Sequence, residues 1–86
     1  MKGVYLLHFE RPYKHARHYL GYSKDIEGRL EEHRKGCGAR LLFIIKEAGI
    51  GFVLARVWKG KSRKWERKLK DSHNVPRYCP LCKKKI

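Results

Sequence analysis

Hydrophobic and polar residues are arranged along the chain in patterns that predict three strands. Residues 2–9 are rich in β-forming side chains and predict a first strand, and residues 18–22 predict a shorter second one. The charged segment 10–17 between them, which contains Arg11 and Pro12, is expected to form the loop of a hairpin. Residues 52–58 give the strongest strand signal, because they are β-branched or aromatic almost throughout.

Three further segments have the periodicity of helices. Residues 25–35 predict a first helix, with Asp25 as its N-cap. Residues 39–48 have apolar side chains at i, i+3, i+4 and i+7 and predict a second helix, although the apolar run within them also fits a buried strand. Residues 63–71 predict a third helix, for which Ser62 is the expected N-cap. Strands and helices together indicate an α+β protein.

The length and charge of the chain limit its class. Its 86 residues form one domain with a small core. Lysine and arginine number 22 against 8 acidic residues, which gives a formal net charge of +14. Positive charges in such excess repel one another unless a bound polyanion neutralises them, so a nucleic acid is the expected partner.

Two classes of protein are excluded by the apolar and cysteine content. No apolar run approaches the roughly 18 residues that a membrane span requires, and no signal peptide is evident. Three cysteines do not form a disulfide framework, so reduced thiols and a cytoplasmic location are expected.

Two tripeptides carry a resemblance to a known family. Gly3-Val4-Tyr5 on the first strand and Tyr19-Leu20-Gly21 on the second resemble the paired motifs that name the GIY-YIG nuclease superfamily. The family's other positions follow in order over residues 2–74, at Arg29, His33, Glu66 and Asn74.

The sequence departs from the family at three places. Val4 and Leu20 replace isoleucines, which is a tolerable change at apolar strand positions. Tyr22 stands where some relatives have a lysine, and Lys24 is the neighbouring residue that could reach the same place.

The resemblance implies a fold and an activity. The fold is a three-stranded antiparallel sheet flanked by about three helices, and the activity is metal-dependent hydrolysis of DNA phosphodiester bonds by an endonuclease. The resemblance implies that Tyr5 is the general base and that Tyr19 positions it. It further implies that Arg29 and His33 bind the scissile phosphate and that Glu66 is a ligand of Mg²⁺ or Mn²⁺. Double-stranded or branched DNA is the expected substrate, and RNA is not excluded. Because 86 residues leave no room for a targeting domain, three alternatives stay open: specificity is low, a protein partner supplies it, or the substrate is recognised by its shape.

The chemistry of these residue types is compatible with those roles. A carboxylate together with a substrate phosphate and waters is a common way to hold Mg²⁺, and a guanidinium matches a phosphate geometrically. The unperturbed pKa of a phenol is about 10, so cations near Tyr5 are expected to lower it. Each residue also has a structural interpretation: Tyr5 as a core aromatic, His33 as a core-edge side chain, and Glu66 as the ion-pair partner of Lys70.

A basic run extends from residue 59 to residue 70, with Glu66 as its one acid. A surface that only contacts solvent usually carries both positive and negative side chains, so this run of positive charge indicates contact with phosphates. Trp58 and Trp65 have the spacing of core residues, although they could stack on bases. The expected nucleic-acid-binding residues are Lys24, Arg63, Lys64, Arg67, Lys68 and Asn74.

Cys79 and Cys82 form a candidate zinc half site with C-x-x-C spacing. Zinc requires four ligands, and Cys37 and His73 are the spare candidates that the sequence offers. A tail with two free thiols and a dimer that shares two half sites remain as alternatives. We therefore expect a nuclease domain over residues 1–78 and a basic tail over residues 79–86.

Two further functions are compatible with the sequence. One is a non-catalytic nucleic-acid-binding protein with the same fold and basic surface. The other is a zinc-knuckle RNA-binding protein, which depends on metal binding by the C-terminal segment.

Overall fold

The longest strand, β1 (Gly3–Tyr13), lies at the centre of a three-stranded antiparallel sheet. It pairs on one side with β2 (Ala16–Ser23) and on the other with β3 (Phe52–Lys59). The structure is a computed structural model, and it describes residues 1–72 and 75–83. The sheet confirms the three predicted strands and the predicted fold class.

The hairpin between β1 and β2 is tighter than its sequence predicts. The expected loop over residues 10–17 is wrong: β1 continues to Tyr13, β2 begins at Ala16, and only Lys14 and His15 form the turn. Lys14 has a φ of 54°, in the left-handed region that such short turns require. Charged side chains are tolerated in this part of the hairpin because the residues next to the turn are largely exposed to solvent.

The three predicted helices are confirmed as α1 (Ile26–Arg34), α2 (Arg40–Glu47) and α3 (Arg63–Asp71). The side chain of Asp25 caps α1 by accepting a hydrogen bond from the backbone N–H of Gly28, at 3.2 Å. Ser62 occupies the N-cap position of α3, but its side chain makes no capping hydrogen bond. Two four-residue helices follow, α4 (Val75–Tyr78) and α5 (Pro80–Lys83).

Each face of the sheet carries its own hydrophobic cluster, because side chains alternate along β1. The first cluster joins the odd-numbered β1 residues to α1 and α2, and its buried members are Tyr5, Leu7, Phe9, Ile26, Leu30, Leu42, Ile45 and Ile50. The second joins the even-numbered β1 residues to α3 and the C-terminal segment, and its buried members are Val4, Leu6, Leu20, Leu69 and Cys79. Trp58 and Trp65 pack against the second cluster, which confirms their predicted place in the core.

Cys79 links the C-terminal segment to the sheet. Its side chain has no exposed surface, so the segment predicted as a tail over residues 79–86 begins with a core residue. No helix in the described part of the chain is long and apolar enough to cross a bilayer.

Candidate active site

Five of the residues that the sequence singled out converge on one small cavity of about 170 Å³. They come from β1, β2, α1 and α3, which lie far apart in the chain. The lining consists of Tyr5, Tyr19, Tyr22, Arg29, His33, Gly38, Arg63 and Glu66. All five residues predicted to be catalytic are in this set, together with one of the predicted nucleic-acid-binding residues, Arg63.

A buried hydrogen bond joins Tyr5 to His33. The Tyr5 hydroxyl lies 2.8 Å from Nε2 of His33, and Nδ1 of the same imidazole lies 3.1 Å from the backbone carbonyl of Cys37. A carbonyl can only accept a hydrogen bond, so Nδ1 carries the proton and donates a hydrogen bond to the carbonyl of Cys37. Nε2 of the neutral ring is therefore the acceptor, and the Tyr5 hydroxyl donates to it.

Burial governs the protonation of both partners. Burial and the neighbouring Tyr19 raise the pKa of the Tyr5 phenol well above its usual range, and the Arg29 guanidinium opposes this only in part. The expectation that cations lower this pKa is therefore not met by the arrangement of the protein groups alone. Burial also lowers the pKa of His33, although its hydrogen bond to Cys37 opposes this, so the imidazole is neutral near pH 7.

The rings of Tyr19 and His33 pack against Tyr5. The ring of Tyr19 lies 6.2 Å from that of Tyr5 and makes an edge-on contact with the His33 ring at 5.4 Å. Gly21 pairs with Tyr5 across the hairpin, and a Cβ there would lie 2.6 Å from Cζ of Tyr5. The missing side chain at Gly21 therefore lets the phenol lie over β2 and reach the cavity.

Gly38 closes the cavity on the side of α1. Its φ is +91°, and a Cβ there would lie 3.2 Å from Nδ1 of His33 and 3.3 Å from a terminal nitrogen of Arg29. No signal in the sequence singled out Gly38 for a part in the site. Its left-handed backbone brings the Cys37 carbonyl to the imidazole that this carbonyl orients.

Glu66 is the one carboxylate among the residues that line this cavity. Its side chain is only 14% exposed, and its Oε2 lies 3.0 Å from Nζ of Lys70, one helical turn onward. The ion pair considered as an alternative for Glu66 is thus present in the structure. The lysine occupies one oxygen of the carboxylate, and the second oxygen is left as a hard ligand. This is compatible with a Mg²⁺ or Mn²⁺ ion whose other ligands are waters and substrate oxygens.

Two arginines line the cavity, one from α1 and one from α3. Arg29 on α1 contacts the carboxylate of Glu32 at 3.8 Å and is partly exposed, so its guanidinium can still bind an anion. Arg63 on α3 lies with its guanidinium 5.4 Å from the centre of the Tyr22 ring. The stacking of Arg63 on Tyr22 was not anticipated, because Tyr22 was identified only as a departure from the family pattern.

The basic surface continues from this cavity along α3. A larger depression of about 480 Å³ is lined by Arg63, Lys64, Glu66, Arg67, Lys70 and Asp71. Lys24 lines a neighbouring depression with Arg29 and Arg63, and it is not among the residues that line the Tyr5 cavity. Lys68 is exposed on α3. Asn74 lies outside the described residues.

Cys79 of the predicted zinc half site contacts two histidines that the sequence analysis did not connect with it. His8 and His18 lie directly opposite each other on β1 and β2, and their ligand atoms and that of Cys79 all lie within 4.8 Å of one another. The hairpin register was a usable signal, since pairing Tyr5 with Gly21 places His8 opposite His18. Of the two spare candidates that the sequence offered, Cys37 is exposed and His73 lies outside the described residues, as does the side chain of Cys82.

The chain matches no protein-family model, no curated protein and no solved structure. Its relationship to the GIY-YIG superfamily therefore remains a resemblance carried by the residues described above.

Proposed function

We propose that this protein is a metal-dependent endonuclease of the GIY-YIG type, which hydrolyses phosphodiester bonds in DNA. The observation that carries the proposal is the cavity in which Tyr5, Arg29 and Glu66 meet. A candidate base, a phosphate-binding guanidinium and a hard metal ligand are the three groups that phosphodiester hydrolysis needs within reach of one phosphate.

Tyr5 and His33 act as a two-residue base in this proposal. A phenol with a raised pKa is not ionised near neutral pH, so Tyr5 cannot take a proton from water unless its own proton leaves. The neutral Nε2 of His33 accepts that proton through the existing 2.8 Å hydrogen bond as the phenol oxygen takes one from the attacking water. The water becomes the nucleophile, Tyr5 remains neutral, and His33 becomes an imidazolium.

Arg29 and Glu66 handle the charge of the phosphate. The Arg29 guanidinium binds non-bridging oxygens and opposes the negative charge that develops on them. Glu66 holds the metal, with Lys70 fixing its rotamer through Oε2. The metal, when bound, supplies Lewis-acid stabilisation of the phosphoryl and leaving oxygens. Tyr19 packs against the reacting hydroxyl and limits its position.

The basic surface of α3 supports DNA as the substrate. Its exposed cations Arg63, Lys64 and Arg67 border the cavity and its neighbouring depression, so a duplex or branched backbone bound there would reach Tyr5. The proposal includes a cytoplasmic location and a protein partner that supplies sequence specificity. RNA stays an alternative substrate, since phosphate contacts do not discriminate by sugar.

The first experiment is nicking of supercoiled plasmid and of branched DNA in the presence of Mg²⁺ or Mn²⁺. We expect cleavage that EDTA abolishes and that Tyr5→Phe reduces to background, while Tyr13→Phe, a change of the same size at the end of the hairpin, leaves it intact. Wild-type protein that binds DNA and cleaves none of these substrates with either metal would contradict the proposal.

A non-catalytic DNA-binding protein is the second candidate. The contact between Glu66 and Lys70 favours it, because that ion pair accounts for a carboxylate in the basic surface without a metal. This candidate predicts tight, salt-sensitive binding of DNA with no cleavage. It also predicts that Tyr5→Phe changes neither binding nor any activity.

A further inference from the structure

We propose that His8, His18, Cys79 and Cys82 form a structural zinc site on the opposite face of β1 from Tyr5. This site is separate from the proposed nuclease cavity and does not depend on nuclease activity. The first three residues are brought together by the fold, and the C-x-x-C spacing of the sequence supplies the fourth.

Two of the three distances among the described ligands match those around a tetrahedral zinc ion. Nδ1 of His8 lies 3.3 Å from Nε2 of His18 and 3.4 Å from Sγ of Cys79. Zinc bonds of about 2.0 Å to nitrogen and about 2.3 Å to sulfur, at tetrahedral angles, separate two nitrogens by about 3.3 Å and a nitrogen from a sulfur by about 3.5 Å. The third pair, His18 and Cys79, has its ligand atoms within 4.8 Å, so one zinc ion bound by all three residues requires at most a modest approach of these two side chains.

Hydrogen bonding explains this arrangement less well than a cation does. Nδ1 of His8 is close to both His18 and Cys79, yet a ring nitrogen has either one hydrogen or one lone pair in the ring plane. It can therefore make one well-aligned hydrogen bond, and not two. A cation between the three ligand atoms instead accepts one lone pair from each of them.

The fold fixes the positions of His8, His18 and Cys79. His8 and His18 are cross-strand partners in the central hairpin, where the register of the sheet fixes their separation. Cys79 lies between α4 and α5, fully buried in the second hydrophobic cluster. Cys82 follows three residues later, at the spacing that zinc knuckles use for paired cysteines.

The donor set selects zinc over the ions proposed for the nuclease cavity. Two imidazoles and two thiolates suit Zn²⁺, whereas Mg²⁺ and Mn²⁺ favour oxygen ligands. Four protein ligands leave no open position, which is typical of a structural site. Such a site would hold the C-terminal segment against the hairpin, a contribution of the kind that small domains often need.

The test is metal analysis of the full chain, expressed and purified under reducing conditions without chelators. We expect about one zinc per chain, since one four-ligand site is proposed. The Co²⁺-substituted protein should show a thiolate-to-cobalt charge-transfer band and the intense visible bands of tetrahedral cobalt. X-ray absorption at the zinc edge should indicate two sulfur and two nitrogen ligands.

Variants identify the ligands. His18→Gln and Cys79→Ser should each weaken zinc binding by more than about 100-fold, the upper end of the effect of losing even an outer-sphere partner. The matched controls are His15→Gln in the hairpin turn and the exposed Cys37→Ser, and both should keep zinc at wild-type affinity.

Several results would overturn the site. One is wild-type protein that holds no zinc as purified and takes up none from added zinc under reducing conditions. Others are an octahedral cobalt spectrum, loss of zinc from Cys37→Ser, or full retention of zinc by Cys79→Ser. If the ligand variants do not fold, the cobalt spectrum and the zinc-edge data of the wild-type chain decide the question alone.

Discussion

The hydroxyl of Tyr5 donates a 2.8 Å hydrogen bond to Nε2 of His33, and both side chains are almost completely buried. The carbonyl of Cys37 fixes the imidazole tautomer from the other side. The phenol that the sequence singled out as a candidate base is therefore hydrogen-bonded to a neutral imidazole, and the proposed mechanism uses the two side chains as a proton relay.

Cleavage is expected to require neutral His33. Protonation of the imidazole blocks the relay, so the rate should fall as the pH drops through the pKa of His33. Burial lowers this pKa from its ordinary value of 6.5, so the acid limb of the pH–rate profile should have its midpoint below 6.5. A midpoint clearly above 6.5 would contradict the assignment.

His33→Gln should remove this acid limb and lower the cleavage rate by about 10²- to 10⁴-fold, the range of general acid–base catalysis. The control is His15→Gln, an exposed change in the hairpin turn that should keep both the rate and the limb. The measurement is single-turnover cleavage from pH 5 to pH 9 at roughly constant ionic strength. A folded His33→Gln protein with the wild-type profile would rule the relay out.

Glu66→Gln is expected to separate binding from catalysis. It keeps the volume and removes the metal-binding charge, so cleavage should fall about 100-fold or more while DNA binds as well as before or more tightly. Lys70→Met removes the ion-pair partner and leaves the carboxylate. If Glu66 serves only in that ion pair, the two variants should behave alike and cleavage should stay near the wild-type rate.

Gly21→Ala tests the close approach of Tyr5 to β2. The new methyl group would lie 2.6 Å from the phenol, so the ring must move, with a cost of about 1–3 kcal/mol in the free energy of unfolding. Cleavage should fall below detection because the hydroxyl leaves the cavity. Gly49→Asn is the control, since nothing lies within 4 Å of a Cβ there and Asn tolerates the left-handed backbone. Equal activity in both variants would refute the role of Gly21.

DNA affinity is expected to depend steeply on salt. The logarithm of the association constant should fall linearly with the logarithm of salt concentration, with a slope of about −0.9 for each phosphate contacted. Replacing Lys64 and Lys68 together by glutamine should make that slope shallower by up to about 2 without changing sequence preference. Lys14 and Lys35, which are exposed and do not belong to α3, provide a control double variant with the same charge change. A flat salt response would eliminate the phosphate-binding surface.

Truncation after Tyr78 is expected to destabilise the domain. The sequence alone indicated a basic tail over residues 79–86, but the shortened chain lacks Cys79, which is fully buried against the sheet. The free energy of unfolding should fall by at least about 1 kcal/mol, as for other losses of a core side chain. A chain that ends at Lys83 keeps Cys79 and should unfold like the full chain. Equal stability of the two truncated proteins would show that Cys79 adds nothing.

The sequence predicted the elements better than their ends. Periodicity was sufficient for all three long helices, because each buries side chains on one face, and the β-branched and aromatic composition was sufficient for β3. The prediction failed in the hairpin, where residues 10–13, two of them charged, continue β1 to Tyr13. Strand length there depends on pairing with β2, which overrides the preference of charged and proline residues for loops.

The local sequence by itself determined which segments become strands and helices, the basic character of the surface, and the set of residues worth testing. Only the tertiary structure decided which of them meet. Tyr5 contacts His33 because Gly21 leaves space beneath the phenol, and Cys79 contacts His8 because the last segment folds back on the hairpin. Such contacts join residues up to 71 positions apart, and they depend on how elements pack in three dimensions, which periodicity along one chain does not encode.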